Sequence, residues 1–371
     1  MTDDAVRPGP EQISMTQHKP ELVPTEFSQT PDLRGLTFAG DVGERLDAGF
    51  RSGLLRGLHA VLVLQAGKPV LERCYEGPDE NWGQSLGHVA FKPQTLHDLR
   101  SVTKSIVGIL YGIALDRRLV PPPEAPLMTE FPEYPDLARD QQLQQLKIEH
   151  ALNMSLGLDW NEQIPYTDPA NSEIAMERAP DRYRYILERP VVAPPGTRWI
   201  YGGNAPALLG RIITKGAGKS LSDFAREALF EPLGIAVFEW AAGRDRVPSA
   251  ASGLRLRARD AARIGEIVRN GGAWKGRQIV SRAWIDESVR PAIKTGDGLD
   301  YGRQWFLGEA PVAGTPQRWI GGFGNGGQRL WIMPSVGITA VILAGNYNAG
   351  DAWITPTRVW RELILANLRR A

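Results

Sequence analysis

Hydrophobic positions change their spacing along the chain, and the first change separates two strands from a helix. Residues 59–65 (HAVLVLQ) and 67–73 (GKPVLER) show the short apolar runs of two β-strands joined by a Gly-Lys turn. After a loop, the apolar residues of 106–113 fall on one helical face. The pattern therefore predicts a hairpin, a loop and a helix that is capped by Ser101 or Thr103.

The middle of the chain, from about residue 125 to 290, is predicted to be mostly helical, and the end returns to strands. Helical spacing is clearest over 205–215, 222–229 and 260–269. Short β-branched or aromatic stretches follow at 301–307, 328–333 and 337–344, before a last helical pattern over 356–370. An antiparallel sheet built from both ends of the chain, with a helical region inserted, explains this order. We therefore predict an α+β fold.

The pattern also predicts the domain organisation. Residues 1–30 are polar and proline-bearing without periodicity, which is typical of a loosely ordered arm. Residues 31–371 are predicted to form one domain. Its sheet part takes in about 31–100 and 295–371, and its helical part about 101–294.

Composition narrows the classes of function. Hydrophobic residues make up 42% of the 371 positions, which excludes global disorder. The net charge of +1 gives no reason to expect nucleic acid or an anionic membrane as a partner. Cys74 is the only cysteine, and neither a signal peptide nor 18 consecutive apolar residues is found. We expect a soluble, cytoplasmic protein, and the oligomeric state stays open.

The strongest local signal is Ser101-Val-Thr-Lys104, whose serine and lysine lie on one face of the predicted helix. A serine becomes a nucleophile only when a base removes its proton. A lysine can do this only when its pKa falls, and neighbouring Arg100 is a candidate cause of that fall. Ser-x-x-Lys occurs by chance roughly once or twice in a chain of this length. Its position between a strand and an apolar helix is therefore what favours a catalytic interpretation.

Two later segments contribute further candidate residues. The stretch Pro195-Gly-Thr-Arg-Trp-Ile-Tyr201 ends on a phenol that can move a proton, and Asn204 follows after two glycines. The stretch 319–328 (WIGGFGNGGQ) contains Asn325 among glycines at the start of a predicted strand. Such glycines let the backbone pass close to a ligand or form a tight hairpin.

Taken in this order, the three segments resemble the serine β-lactamase and penicillin-recognising superfamily, for which Ser-x-x-Lys is a signature. The likeness is closer to the branch of class C β-lactamases, family VIII esterases and aminohexanoate-oligomer hydrolases, and it covers roughly residues 57 to 350. The supporting stretches are His97-Asp-Leu-Arg-Ser-Val-Thr-Lys-Ser105, 153–160, 208–213, 229–235 and 326–330.

The resemblance implies a β-lactamase/transpeptidase-like fold, with an antiparallel sheet flanked by helices and a mainly helical region beside it. It implies that Ser101 is the acyl-forming nucleophile, Lys104 its base and Tyr201 an acid/base. The backbone N–H of Ser101 is then half of an oxyanion hole. The strand that starts near Asn325 and Gly326 supplies the other half.

Two departures from that family pattern bear on the substrate. Class C enzymes have Tyr-x-Asn, but here Gly203 holds the place of the Asn, and Asn204, the candidate substrate-binding residue, comes one residue later. Lys294-Thr-Gly296 follows a helix-like stretch and precedes a loop, so we regard it as a decoy. Its counterpart is either Trp319–Gly321 or Gly324–Gly326, and neither has the lysine that binds a carboxylate. The missing lysine favours esters or uncharged amides.

Other apparent motifs fail on their context. Gly322 to Gly327 matches a dinucleotide fingerprint but precedes a strand instead of opening a helix. Asn153-Met-Ser155-Leu-Gly157 misses the first glycine of a nucleophile elbow. The five histidines have no metal-ligand spacing, so we predict no metal and no cofactor. His97 is expected to be structural more readily than accessory to Ser101.

The sequence thus favours a serine hydrolase that cleaves a small-molecule ester or amide through an acyl-enzyme. One alternative is a β-lactamase or D-Ala-D-Ala peptidase of the penicillin-recognising type. Another is a non-catalytic binding relative of the same fold. The presence of Ser101, Lys104 and Tyr201 together separates an enzyme from a pure binder, because a binder needs no such set.

Overall fold

A computed structural model describes residues 36–370, and the predicted arm over residues 1–30 lies outside them. Its strands, in chain order, are β1 (Leu36–Phe38), β2 (Leu58–Gln65), β3 (Lys68–Cys74), β4 (Glu76–Asn81), β5 (Gln84–Ala90), β6 (His97–Asp98), β7 (Glu239–Trp240), β8 (Leu254–Leu256), β9 (Ala273–Trp274), β10 (Arg277–Gln278), β11 (Ile293–Lys294), β12 (Asp300–Gly302), β13 (Trp305–Val312), β14 (Thr315–Gly324), β15 (Gln328–Met333), β16 (Ile338–Ala344) and β17 (Leu368–Arg370).

The α-helices are α1 (Val42–Arg51), α2 (Val102–Asp116), α3 (Ile148–Leu152), α4 (Ser172–Arg178), α5 (Arg182–Leu187), α6 (Asn204–Ala217), α7 (Leu221–Ala225), α8 (Ala258–Arg269), α9 (Arg282–Ser288) and α10 (Ile354–Arg358). Two of them continue as π-helix, α7 over Arg226–Phe230 and α10 over Val359–Ile364. Among residues 36–370, no helix is long and apolar enough to cross a membrane.

Eight strands form the central sheet in the order β11-β12-β13-β14-β15-β16-β2-β3, and every neighbouring pair is antiparallel. The N-terminal hairpin β2–β3 joins the C-terminal strands through β16, where Leu62 lies opposite Val341. Both ends of the chain therefore build one sheet, as the sequence pattern predicts.

Both faces of the sheet are covered. All seven residues of β16 are buried, and they alternate between two cores. Val341 and Leu343 pack with the helical region, whereas Ala340 and Ile342 pack with the C-terminal helix around Trp360. The result is a sheet between two helical layers.

Helix α2 is the element on which the candidate site depends. Its residues from Val102 to Ala114 are all buried, because it lies between the sheet and the helical region. It packs against α6 on one side and β14 on the other. Side chains that precede or begin α2 are therefore fixed from several directions.

Three predicted elements differ from the structure. The predicted strand 301–307 is two strands, because Arg303 and Gln304 turn the chain with φ of 31° and 74°. The predicted last helix reaches only Asn367, as a 3₁₀ turn after Ile364, and β17 then pairs with β1. Residues 76–90, interpreted as loop from their polar composition, form the β4–β5 hairpin, which is held by backbone hydrogen bonds.

Candidate active site

Ser101 lies at the N-cap of α2, directly before the first helical residue. Its hydroxyl is turned toward the side chain one turn later instead of capping the helix, and Lys104 Nζ donates a hydrogen bond to Ser101 Oγ at 2.9 Å. The predicted i, i+3 pair therefore meets in space.

Lys104 is only 1% exposed, and its ammonium is fully engaged. Besides Ser101, it donates to the Ala251 carbonyl oxygen at 2.9 Å and to Glu173 Oε2 at 3.3 Å. An ammonium has three hydrogens, so these three acceptors use its whole donor capacity.

The electrostatics of Lys104 run against the sequence expectation. Burial by itself lowers the pKa of Lys104, but the negative charge of Glu173, followed by Tyr201 and Glu162, outweighs burial and raises the pKa above its usual value. The predicted fall caused by Arg100 is wrong for this arrangement, because carboxylates face the ammonium more closely than cations do. Lys104 is an ammonium in the resting site.

Arg100 instead belongs to a clamp that holds the residue before the serine. It has a left-handed φ of 47°, which is strained for a non-glycine residue. Asp98, which is fully buried, accepts from the backbone N–H groups of Arg100 and Trp82, each at 2.8 Å. The Arg100 guanidinium pairs with Asp98 at 3.2 Å and with Glu80 at 3.1 Å. The clamp fixes the turn that presents Ser101.

Tyr201 lies beside the same lysine, with its ring centroid 5.0 Å from Lys104 Nζ. Trp199 and Phe306 pack on the phenol ring, at centroid distances of 5.7 and 6.1 Å. Burial raises the pKa of Tyr201, while Lys104 and a hydrogen bond with Ser101 act in the opposite direction. The structure thus brings the three predicted catalytic side chains together.

A buried pair of glutamates, which sequence reasoning missed, completes the surroundings of Lys104. Glu162 accepts from Trp160 Nε1 and the Gly203 backbone N–H, both at 2.6 Å, and from Tyr166 at 3.0 Å. Burial, then the charge of Glu173, raises the pKa of Glu162 to about 7. The signal in the sequence was weak, namely an Asn171-Ser-Glu173 start of a short helix.

Alternate residues of the glycine-rich segment 319–328 face the start of α2. Gly322 faces Ser105 and Val102, and a Cβ on Gly324 would collide with the Leu99 carbonyl oxygen. Trp319 points to the opposite face of the sheet and packs in the other core. Of the two predicted counterparts of Lys-Thr-Gly, Gly324–Gly326 is therefore the stretch beside the serine.

Asn325 and Gly326 lie in the turn after β14, whereas the next strand begins only at Gln328. The Asn325 side chain is fixed by Asn348, whose backbone N–H donates to Asn325 Oδ1 at 2.8 Å. Gly326 has a φ of 86°, which favours glycine, and its carbonyl accepts from the Asn346 N–H at 3.1 Å.

Asn204 and Lys294 lie elsewhere. Asn204 is buried at the start of α6, where its Oδ1 accepts from the Ala205 N–H at 2.8 Å. Lys294 is on the edge strand β11, three strands from β14, and its ammonium pairs with Asp300 at 2.7 Å. Asn204 is not among the residues that line the cavity within 36–370, and its substrate contact stays a prediction.

A cavity of about 640 Å³ opens onto Ser101. That volume suits a small molecule. Its wall carries both carboxylates and cations as well as aromatic rings. The lining includes Ser101, Asp79, Glu80, Trp82, Arg100, Tyr166, Glu173, Glu177, Arg178, Arg244, Asn325 and Tyr347.

Next to this cavity, three buried residues could hold a metal ion. His59, Asp79 and His97 offer ligand atoms within 4.8 Å of one another. His59 Nδ1 and His97 Nε2 are 2.9 Å apart, and burial lowers the pKa of His59 to about 3 and that of His97 to about 4. Neutral imidazoles and a carboxylate are zinc-type ligands. These three residues are far apart in the sequence, so their spacing does not reveal the group. The expectation of no metal stays a prediction.

The fold and the side chains around Ser101 define a class, the hydrolases of the β-lactamase fold. The chain belongs to the Beta-lactamase family, whose family model matches residues 51–354. This membership confirms the resemblance and the α+β fold class that the sequence predicts.

Known proteins of several activities are similar to it. The 6-aminohexanoate-dimer hydrolase of Paenarthrobacter ureafaciens is 25% identical over 317 residues, which cover 76% of this chain and 73% of that protein. EstCE1, a hydrolase with promiscuous acyltransferase activity, superposes with a TM-score of 0.69 at 16% identity, covering 88% of this chain and 98% of EstCE1. The octameric penicillin-binding protein homologue from Pyrococcus abyssi gives 0.64 at 17%, covering 86% and 77%. The relatives support a hydrolase in general terms.

Proposed function

We propose that the protein is a serine hydrolase that cleaves an ester or amide bond of a small molecule through an acyl-enzyme on Ser101. The observation that carries this proposal is the 2.9 Å hydrogen bond between Lys104 Nζ and Ser101 Oγ, at the edge of a cavity large enough for a substrate. A hydroxyl pointed at a buried lysine, instead of capping its helix, is arranged for proton transfer.

In acylation, Ser101 Oγ attacks the substrate carbonyl carbon while Lys104, as the amine, takes the hydroxyl proton. The oxyanion that forms is stabilised by the backbone N–H of Ser101 and by the turn at Asn325 and Gly326. Collapse breaks the C–O or C–N bond, and Tyr201 passes a proton to the leaving group. Water then repeats the sequence on the acyl-enzyme. This chemistry requires no cofactor.

Esters and uncharged amides are the proposed substrate class. The stretch Gly324–Gly326 beside Ser101 has no lysine, and Lys294 is distant at the sheet edge, so a carboxylate-binding cation of the Lys-Thr-Gly type is missing from this part of the described site. The relatives named as a 6-aminohexanoate-dimer hydrolase and as a hydrolase with promiscuous acyltransferase activity support hydrolysis in general. The proposal includes the cytoplasmic location, and the lack of nucleic-acid and membrane partners, expected from the sequence.

A fluorophosphonate probe and p-nitrophenyl butyrate test the proposal. We expect stoichiometric labelling that peptide mass spectrometry assigns to Ser101, and loss of labelling and turnover in Ser101→Ala. Ser155→Ala is the matched control, because Ser155 occupies the near-miss nucleophile elbow and is buried away from the cavity lining within residues 36–370. Equal behaviour of the wild type and Ser101→Ala would refute the proposal and favour a binding relative.

A chromogenic cephalosporin separates the remaining enzyme alternatives. We expect hydrolysis of the butyrate ester to exceed that of the cephalosporin by kcat/KM. Faster turnover of the cephalosporin would favour the β-lactamase alternative.

A further inference from the structure

The proposed acylation step conflicts with the charge of Lys104. A lysine can accept the proton of Ser101 only as an amine, but the surroundings of Lys104 raise its pKa and keep it an ammonium. The resting site must therefore remove a proton from Lys104 before Ser101 can attack. This inference rests on the proposed function.

Three groups accept hydrogen bonds from the ammonium, and they limit where its proton can go. Lys104 Nζ contacts the Ser101 hydroxyl, the Ala251 carbonyl oxygen and Glu173 Oε2. A peptide carbonyl is not a base at neutral pH, and the hydroxyl is the group to be deprotonated. Among these hydrogen-bond partners within residues 36–370, the carboxylate of Glu173 is the one that can take a proton.

We propose that Glu173 is the proton acceptor that converts Lys104 from ammonium to amine, and is therefore a further catalytic residue. The proton moves from Lys104 Nζ to Glu173 Oε2, which leaves a neutral amine and a neutral carboxylic acid. The amine then takes the proton of Ser101 as the Oγ–carbonyl bond forms. Lys104 then passes that proton through Tyr201 to the leaving group and is again an amine, so Glu173 can return its own proton to Lys104 and restore the charges of the resting site.

Burial makes this neutral pair accessible. Lys104 is 1% exposed and Glu173 is 3% exposed, so both charges of the ion pair are desolvated. The attraction between two buried charges offsets only part of the hydration free energy that both have lost. Moving the proton across 3.3 Å cancels both charges inside the protein.

A second carboxylate beside the pair favours the same transfer. Burial, then the charge of Glu173, raises the pKa of Glu162 to about 7. A proton on Glu173 removes the repulsion between the two carboxylates. Trp160, Gly203 and Tyr166 hold Glu162 in place, so Glu162 is a positioning residue for the pair of Lys104 and Glu173.

The other charged or titratable groups near Glu173 are engaged with partners of their own. Glu177, one turn later on α4, pairs with Arg182 at 3.0 Å and accepts from Ser249 at 2.6 Å. Tyr201 presents its ring to Lys104 from the segment that precedes α6. The transfer from Lys104 to Glu173 is therefore local to the two side chains.

The test is the pH dependence of the acylation rate, measured by stopped flow with p-nitrophenyl butyrate. In the wild type, the proton moves within the site, so we expect a rate that is nearly constant from about pH 6 to 9, apart from a small inflection near pH 7 where Glu162 ionises. In Glu173→Gln, Lys104 must instead lose its proton to solvent. We expect acylation at pH 6 to fall by about 100-fold or more, to rise about tenfold per pH unit, and to recover at alkaline pH.

Two further variants serve as controls for Glu173→Gln. Glu173→Asp keeps a carboxylate and is expected to keep the flat profile at a lower rate. Glu266→Gln removes a buried carboxylate on α8 that does not line the cavity within residues 36–370, and its acylation is expected to keep the wild-type pH dependence. Thermal unfolding of each variant checks that the fold is retained, and the Glu173→Asp profile decides if Glu173→Gln does not fold.

A wild-type profile in Glu173→Gln would overturn the proposal, and so would a uniform loss at every pH, which means that Glu173 only places Lys104. Loss of the flat profile in Glu173→Asp would do the same. Failure of the proposed function looks different, because the wild type itself would then form no acyl-enzyme on Ser101.

Discussion

Asp98 is expected to control both stability and reactivity, because it holds the strained residue that precedes Ser101. Its two oxygens accept from the backbone N–H groups of Arg100 and Trp82, both at 2.8 Å, and it is fully buried. In Asp98→Asn one acceptor becomes an NH₂ group, which leaves a buried N–H unsatisfied and the Arg100 guanidinium without this carboxylate. Loss of one such bond costs about 1–3 kcal/mol, and loss of the charge adds a similar amount. We expect the free energy of unfolding to fall by about 2–6 kcal/mol.

The same substitution is expected to slow acylation in the molecules that stay folded. Arg100 has a φ of 47°, which costs about 1–3 kcal/mol and persists only while its surroundings impose it. When the clamp loosens, the turn relaxes and Ser101 moves. A displacement of about 1 Å costs roughly 100-fold in rate. We therefore expect the acylation rate constant to fall by about 10- to 100-fold.

Urea unfolding and stopped-flow acylation measure the two effects separately. Asp140→Asn is the matched control, because Asp140 is exposed and also accepts from two backbone N–H groups, those of Gln142 at 2.7 Å and Leu143 at 3.2 Å. We expect this control to change acylation less than about twofold. If Asp98→Asn costs less than about 1 kcal/mol and acylates like the control, the account of the clamp is wrong.

Two further substitutions test the packing and the buried histidines. Gly324→Ala places a methyl group against the Leu99 carbonyl oxygen. We expect acylation to slow at least tenfold more than in the control Gly322→Ala, whose Cβ meets a side-chain atom at 3.1 Å. Equal rates in the two variants would contradict the close approach. Burial lowers the pKa of His97 to about 4, so between about pH 6.5 and 4 the unfolded chain binds a proton that the folded chain refuses, and stability falls as the pH drops. From pH 7 to 5 we expect His97→Gln to lose about 2 kcal/mol less unfolding free energy than the wild type. Exposed His88→Gln should match the wild type, and an unchanged pH dependence in His97→Gln would refute the linkage.

Local periodicity was sufficient to predict the elements that build the core. The apolar run at 59–65 and the helical spacing after Ser101 correspond to β2 and α2, because each buries its side chains in a regular pattern. The hairpin over 76–90 was missed since most of its side chains are polar or small. Backbone pairing, which has no side-chain signature, makes those residues strands.

The candidate site was predictable only where its residues are close in sequence or lie in a motif. Ser101 and Lys104 are one turn apart, so their contact follows from helix geometry. Glu162 and Glu173 reach Lys104 through the packing of the helical region, which no local pattern encodes. This is why the sequence suggested a lowered pKa for Lys104 and the structure shows a raised one.

The antiparallel pairing of β2 with β16 has a consequence for the order in which the protein is made. The serine and lysine are synthesised early on α2, but the strand β14 that packs against them, and the strand β16 that joins the two ends of the sheet, come much later. Until those strands leave the ribosome, the apolar surface of α2 has no sheet to cover it. A nascent chain at that stage exposes the apolar surface of α2, which chaperones are expected to bind. The surroundings of Ser101 are complete only once the late strands have docked.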